Sequence, residues 1–234
     1  MNKAVGFDQK IQLSHLDITA QELRYTEKKD MYAKLDEYLR SDIKGDKSRK
    51  NAITMLMKIW CMVEPEYEEM QREALQAFPQ ASGSEKILLH WGMTLLAYPF
   101  FKCVIEEMGN LLKLQNEVSS QQLNRRIKLL YGDRRRVEVA VSAVLGSLKA
   151  WGLIEHKGKS IYTLPGRISI QGSFFKYWIL EVLLRVSEYN IMPVDMLTSQ
   201  AAFFPFEFDV NIAELHGTRI KVDRQGLDQF MLSL

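Results

Sequence analysis

Val144-Leu-Gly-Ser-Leu-Lys-Ala-Trp-Gly-Leu-Ile154, taken up again by Ile161-Tyr-Thr163, is the stretch on which the reading of this chain turns. Val137, Val141, Val144, Leu145, Leu148 and Trp151 recur at spacings of three and four, the signature of one buried stripe on a helix. That helix runs to about Trp151, and Gly152 follows as a left-handed stop. Residues 153–156 and 159–163 flank Lys157-Gly158, a two-residue hairpin signal. Such a turn sets Ile154 opposite Ile161 on one face. Pro165-Gly166 ends the unit.

Upstream, Ser119-x-x-Gln122 forms a capping box that opens a short helix to about Tyr131. Gly132 ends it, and Asp133 is placed to cap the long helix. Charge concentrates here. Residues 121–167 hold ten basic side chains and three acids, an excess of seven on a chain whose net charge is +2. The remainder is therefore at −5. A local basic stripe on a near-neutral protein is the footprint of a polyanion. Arg134, Arg135 and Arg136 fill the first turn of the long helix, where the dipole and free N–H groups suit phosphate. Three arginines there oppose that dipole unless an anion or acidic neighbour offsets them. Arg135, Glu138, Ser142 and Lys149 lie opposite the apolar stripe. Two blander readings stand beside this one: a solvated helix start, or a basic face for an acidic protein.

A short capped helix, a tight glycine turn, a longer helix and a small hairpin, in that order, resemble the winged helix-turn-helix DNA-binding family. The resemblance covers residues 119–164, and its most telling run is the one quoted first, where a helix ends on an aromatic-glycine pair. It implies helix-in-groove contacts from Arg134, Arg135, Glu138 and Ser142. It also implies backbone contacts from Lys157 and Lys159 on the hairpin tip. Arg125, Arg126, Arg136 and Lys149 complete the expected DNA-binding set. A second run, His90-Trp-Gly-Met-Thr-Leu-Leu-Ala-Tyr-Pro-Phe-Phe101, followed by that module, looks like the small helical BrxA family of bacterial BREX phage-defence loci. That resemblance implies a bacterial cytoplasmic protein acting within a multi-protein defence system.

The first 114 residues read as helical. Thr19-x-x-Glu22 is a capping box before an amphipathic helix from Ala20 to about Ile43. Gly45-Asp46 breaks it, with Ser48 as the next cap. Residues 51–63 are strongly apolar and belong to the core. Pro65 suits the first turn of a helix ending near Phe78. Residues 85–97 and 100–114 are two helices, or one kinked at Pro99. Beyond the module, residues 174–189 read as a further helix. Phe206, Phe208, Val210 and Ile212 then alternate with Glu207, Asp209 and Asn211, a strand with one buried face. A three-residue loop, Leu215-His216-Gly217, pairs Ile212 with Ile220 and Val210 with Val222, with Gly217 left-handed.

The composition fits an ordinary globular chain: 234 residues, 47% apolar, 26% charged. Disordered and collagen-like classes are excluded. Cys61 and Cys103 are too few and too far apart for a disulfide framework or a zinc site, which fits a reducing cytoplasm. His15, His90, His156 and His216 are scattered, with His90 expected in the core and His156 on the hairpin tip. No phosphate-cradling glycine loop, nucleophile elbow or H-E-x-x-H motif is present. The expectation is a mainly α protein: a helical domain over 1–114, a winged-helix domain over 115–166, and a C-terminal helix and β-hairpin extension over 167–234. It is a non-enzymatic DNA-binding protein needing no cofactor or metal, with double-stranded DNA and other protein subunits as partners. A homodimer is compatible with it, and no membrane is expected. The alternatives are a winged-helix transcriptional regulator and a protein-interaction adaptor.

Overall fold

The computed structural model describes residues 3–215, 217–226 and 229–234. Most of them are helical, in ten α-helices. Residues 3–12 come first as an irregular segment, with Phe7 at φ 61°, that buries Val5, Phe7 and Ile11. Helix α1 (Leu13–Glu22) follows, burying His15, Leu16, Thr19 and Ala20 at helical spacing. Helix α2 (Met31–Leu39) buries Met31, Leu35 and Leu39, one per turn. The single helix expected from Ala20 to Ile43 is thus two. Thr19 lies inside α1 and its hydroxyl donates to the His15 carbonyl at 2.6 Å, so it caps nothing. Residues 23–30 carry little apolar surface that a helix could bury, and exposed Tyr25 sits among charges.

Helix α3 (Asp46–Trp60) supplies Ile53, Leu56, Ile59 and Trp60 to the core. A 3₁₀ turn at Pro65–Tyr67 leads into α4 (Glu68–Ala77). Ser82 and Glu85 form a reciprocal capping box at the start of α5 (Gly83–Ala97), which is buried continuously from Leu88 to Leu96. Pro99 then opens α6 (Pro99–Leu114) as its first residue. The two helices meet at 118°, and no single helix among the described residues is long and apolar enough to cross a membrane.

Strand β1 (Val118–Ser119) leads into α7 (Ser120–Tyr131) and α8 (Arg135–Ala150). Strands β2 (Glu155–Gly158) and β3 (Ile161–Thr163) follow, and the antiparallel order is β1-β3-β2. After these come β4 (Ile168–Ser169), α9 (Ser173–Val186), β5 (Ile191–Pro193), α10 (Val194–Thr198), β6 (Phe206–Glu207), β7 (Lys221–Gln225) and β8 (Gln229–Ser233). β4 and β6 pair in parallel, and β5-β8-β7 form an antiparallel sheet.

The expected C-terminal hairpin is a different one. Only Phe206–Glu207 of the alternating run is strand, and Ile212–Leu215 is a 3₁₀ turn. Phe206 sinks beside Trp91, ring centroids 5.5 Å apart, while its backbone pairs with Ile168. The hairpin joins β7 and β8, with Val222 opposite Leu232 rather than Val210. Gly217 has the positive φ expected of it, 87°, while His216 of the same loop lies outside the described residues. Buried apolar side chains from Val5 to Leu232 form one continuous cluster.

Candidate nucleic-acid interface

Helix α7 begins as the sequence indicates. The Ser119 hydroxyl accepts from Gln122 N at 3.1 Å, and the Gln122 side chain accepts from Ser119 N at 3.1 Å. Leu123, Ile127 and Tyr131 are its buried face. Gly132, at φ 88°, ends it and turns the chain toward α8. Helix α8 buries Val137, Val141, Val144, Leu145 and Leu148, and its solvent side carries Arg135, Val139, Ser142 and Lys149. Arg135 is 85% exposed. Gly152 has φ 73°, the left-handed stop that its position requires.

The N-terminus of α8 differs from expectation. Arg134, not Asp133, is the N-cap, and no side chain caps the helix. Asp133 instead takes Lys128 at 2.8 Å. Arg134 turns inward and its Nη2 donates to the carbonyls of Tyr131 (2.8 Å) and Lys3 (2.9 Å). It is a clamp between α7 and the N-terminal segment, so it is poorly placed to reach a base.

The other predicted contacts fall into two groups. Arg126 pairs with Glu107 at 2.9 Å, Arg135 with Glu138 at 2.7 Å, Arg136 with Asp8 at 3.5 Å and Lys157 with Glu117 at 2.6 Å. Glu138 also receives Lys128. The Lys128 ammonium, with Arg135, holds its carboxyl below the usual carboxylate range, so Glu138 is ionised at neutral pH. Arg125, Lys149 and Lys159 form no ion pair among the described residues and are exposed. Glu107, Glu117 and Asp8 are three acids from outside the basic window, and they cut its excess of seven to four. These pairs are largely solvated. Exposed pairs of this kind are worth about 0–1 kcal/mol, so an incoming phosphate can displace the acid.

The hairpin's register is shifted from expectation. Glu155 faces Thr163, His156 faces Tyr162 and Gly158 faces Ile161, so the tip is Lys159-Ser160 rather than Lys157-Gly158. Gly158 (φ 146°) and Ser160 (φ 65°) carry the unusual backbone angles. His156 supports the tip: its Nε2 accepts from Ser160 N at 3.2 Å, and its ring lies against Tyr162. The pairing of β1 with β3, Val118 opposite Tyr162, ties this ribbon to the entry of α7. Two residues are too short a run for alternation to reveal in sequence.

Sequence reasoning also missed residues 3–12, which lie along α8. Asp8 meets Arg136. The Ile11 N–H donates to Ser147 Oγ at 2.9 Å, and Trp151 Nε1 donates to the Ile11 carbonyl at 3.0 Å. No local pattern marks this pairing, because the partners are more than 120 residues apart. Among the described residues, no three His, Cys, Asp or Glu side chains gather as a metal ion would need.

No family model matches the chain, and neither does any curated protein or solved structure.

Proposed function

We propose that residues 115–166 are a winged-helix module, flanked by a helical domain over 1–114 and a C-terminal extension over 167–234, and that the protein is a non-enzymatic binder of double-stranded DNA. The observation that supports this most is α8. The outer side of its first turns is exposed at Arg135, it follows α7 through a three-residue glycine turn, and it runs directly into a ribbon tipped by Lys159, which forms no ion pair among the described residues. A helix of this kind reads base edges from its N-terminal part, while lysines and arginines around it take backbone phosphates. Arg135, Glu138 and Ser142 are the groove-facing residues in this reading. Arg125, Lys149 and Lys159 hold the backbone, with Arg126, Arg136 and Lys157 contributing once their carboxylate partners yield. Membership of a bacterial cytoplasmic phage-defence assembly rests on the BrxA-like run at 90–101 alone.

The test is anisotropy with a labelled duplex of about 20 base pairs, titrated from about 50 to 200 mM salt. Each phosphate contacted contributes about −0.9 to the log–log slope. The Arg135→Glu, Lys149→Glu double variant is expected to weaken binding at least about tenfold and flatten the slope by at least about one, the share of the Lys149 phosphate contact. Binding that ignores both salt and this variant overturns the proposal.

One observation favours a second reading, a protein-interaction adaptor. Leu129 is 82% exposed and Val139 is 43% exposed, and the two lie on the helices that carry Arg125 and Arg135. Binding to a protein through those leucine and valine side chains would be lost in Leu129→Ser and would change little with salt.

A further inference from the structure

Lys10 belongs to a segment remote in sequence from every residue of the proposed DNA surface, yet it lies on the solvent side of α8. Its Cβ, Cγ and Cδ run 3.7–3.8 Å from where a Cβ on Gly146 would stand. Gly146 is one turn from Ser142 and from Lys149, on the same helical stripe as Arg135 and Val139. The Lys10 stem therefore covers the third turn of that face and leaves the first two open. Its main chain is tied on the C-terminal side, where Ile11 is bound through both its N–H and its carbonyl, and on the other side the Gln9 side chain accepts from Asn51 Nδ2 at 3.2 Å through Oε1. Further up the segment, buried Phe7 packs on Tyr98 and Phe101 at 5.5 and 5.1 Å. Lys10 itself is exposed and forms no ion pair among the described residues.

We infer that Lys10 is a phosphate-contacting residue of the DNA surface, clamping the backbone at the groove edge beside Lys149 while the first two turns of α8 enter the groove. This rests on the DNA-binding reading above. The physical case is charge with little ordering cost: the segment is anchored by the Ile11 main chain on one side and by buried Phe7 on the other, so mainly the side-chain rotamers need settle. An ammonium at that turn faces the duplex on the part of the helix that lies too far from the first turn to read bases.

The experiment compares wild type, Lys10→Ala, Lys10→Glu and Lys10→Arg on the same duplex across salt, with thermal melts of each to confirm folding. Lys10→Ala is expected to flatten the log–log slope by about one, equally for unrelated duplex sequences. Lys10→Glu is expected to weaken binding at least about tenfold, and Lys10→Arg to keep the wild-type slope. If wild type binds with a steep slope, and Arg135→Glu, Lys149→Glu loses it, but Lys10→Glu changes neither affinity nor slope, this inference is overturned and the DNA reading stands. If wild type shows no salt-dependent binding, both fall together.

Discussion

The indole N–H of Trp60 donates to Nδ1 of His90 at 3.1 Å, and that bond sets the histidine's tautomer. With Nδ1 accepting, the ring proton sits on Nε2, 3.0 Å from the Asp17 carboxylate. The three side chains join α3, α5 and α1. Burial lowers the His90 pKa below its ordinary 6.5, more than Asp17 raises it. His90 is therefore neutral in the fold, while an unfolded chain takes up its proton near pH 6.5. Below that pH the unfolded state binds more protons, so stability is full above about 6.5 and declines as pH falls. Urea midpoints are expected to drop between about pH 7 and pH 5, and His90→Gln to reduce that slope. A midpoint that is flat or rising toward acid contradicts the account.

Arg134 and Arg135 are neighbours with opposite fates. Arg134→Ala removes two charge-assisted bonds to the Tyr131 and Lys3 carbonyls and is expected to cost about 2 kcal/mol. Arg135→Ala removes only an exposed pair to Glu138 and is expected to lie within about 0.5 kcal/mol of wild type. Chemical denaturation of both reads the difference. For this reason the DNA tests use Arg135 with Lys149 and leave Arg134 in place.

Two helical glycines respond in opposite directions to an added methyl group. A Cβ on Gly109 of α6 would collide with the Ala201 carbonyl, backbone that has no rotamer to escape into. Gly109→Ala is expected to cost about 2–3 kcal/mol. A Cβ on Gly146 meets only the Lys10 stem at 3.7 Å, so Gly146→Ala is expected to gain about 0.5–1 kcal/mol from helix propensity. Similar denaturation midpoints for the two variants would sink this distinction.

Glu181 is a nearly buried carboxylate on α9, 4% exposed. Arg185 reaches it at 2.9 Å from the next turn, and Arg219 at 2.8 Å. Arg219 also forks onto both oxygens of Glu73, each at 2.7 Å. Arg219→Ala strips one of the two cations from a carboxylate that has little water to fall back on. The expected loss is about 2–3 kcal/mol, below the range for a fully orphaned charge because Arg185 remains. Arg219→Ala, Glu181→Gln is expected to recover part of it, as a double-mutant cycle would measure.

Burial raises the thiol pKa of Cys61 to about 12 and of Cys103 to about 11. Both stay protonated at pH 8, and the protonated thiol is a poor nucleophile. A colorimetric thiol assay is expected to report both only after denaturant is added. Fast native labelling of Cys61 would refute its placement.

What could be read in advance was local. The Ser119–Gln122 box, the apolar stripe of α8 and the φ of Gly152 depend on residues within a turn or two of one another, and all three are present. Arg134 was legible as basic but not as a clamp, because Lys3 lies 131 residues away. Residues 206–212 alternate as a strand does, yet alternation names no partner. Ile168 supplied the edge for Phe206, and Leu232 became the neighbour of Val222. The hairpin tip moved by two residues because Ser160 took a positive φ, held by His156, a bond between side chain and backbone that no spacing rule contains.

Trp151 ends α8 with its indole closed on Ile11. A peptide cut to residues 115–166 would carry that indole without its acceptor, and Ser147 without the amide it receives. Excision would leave two open seams along α8. Whatever grips that helix in the intact chain must therefore register as far away as the first helices, and calorimetry should record one melting event moving as a whole.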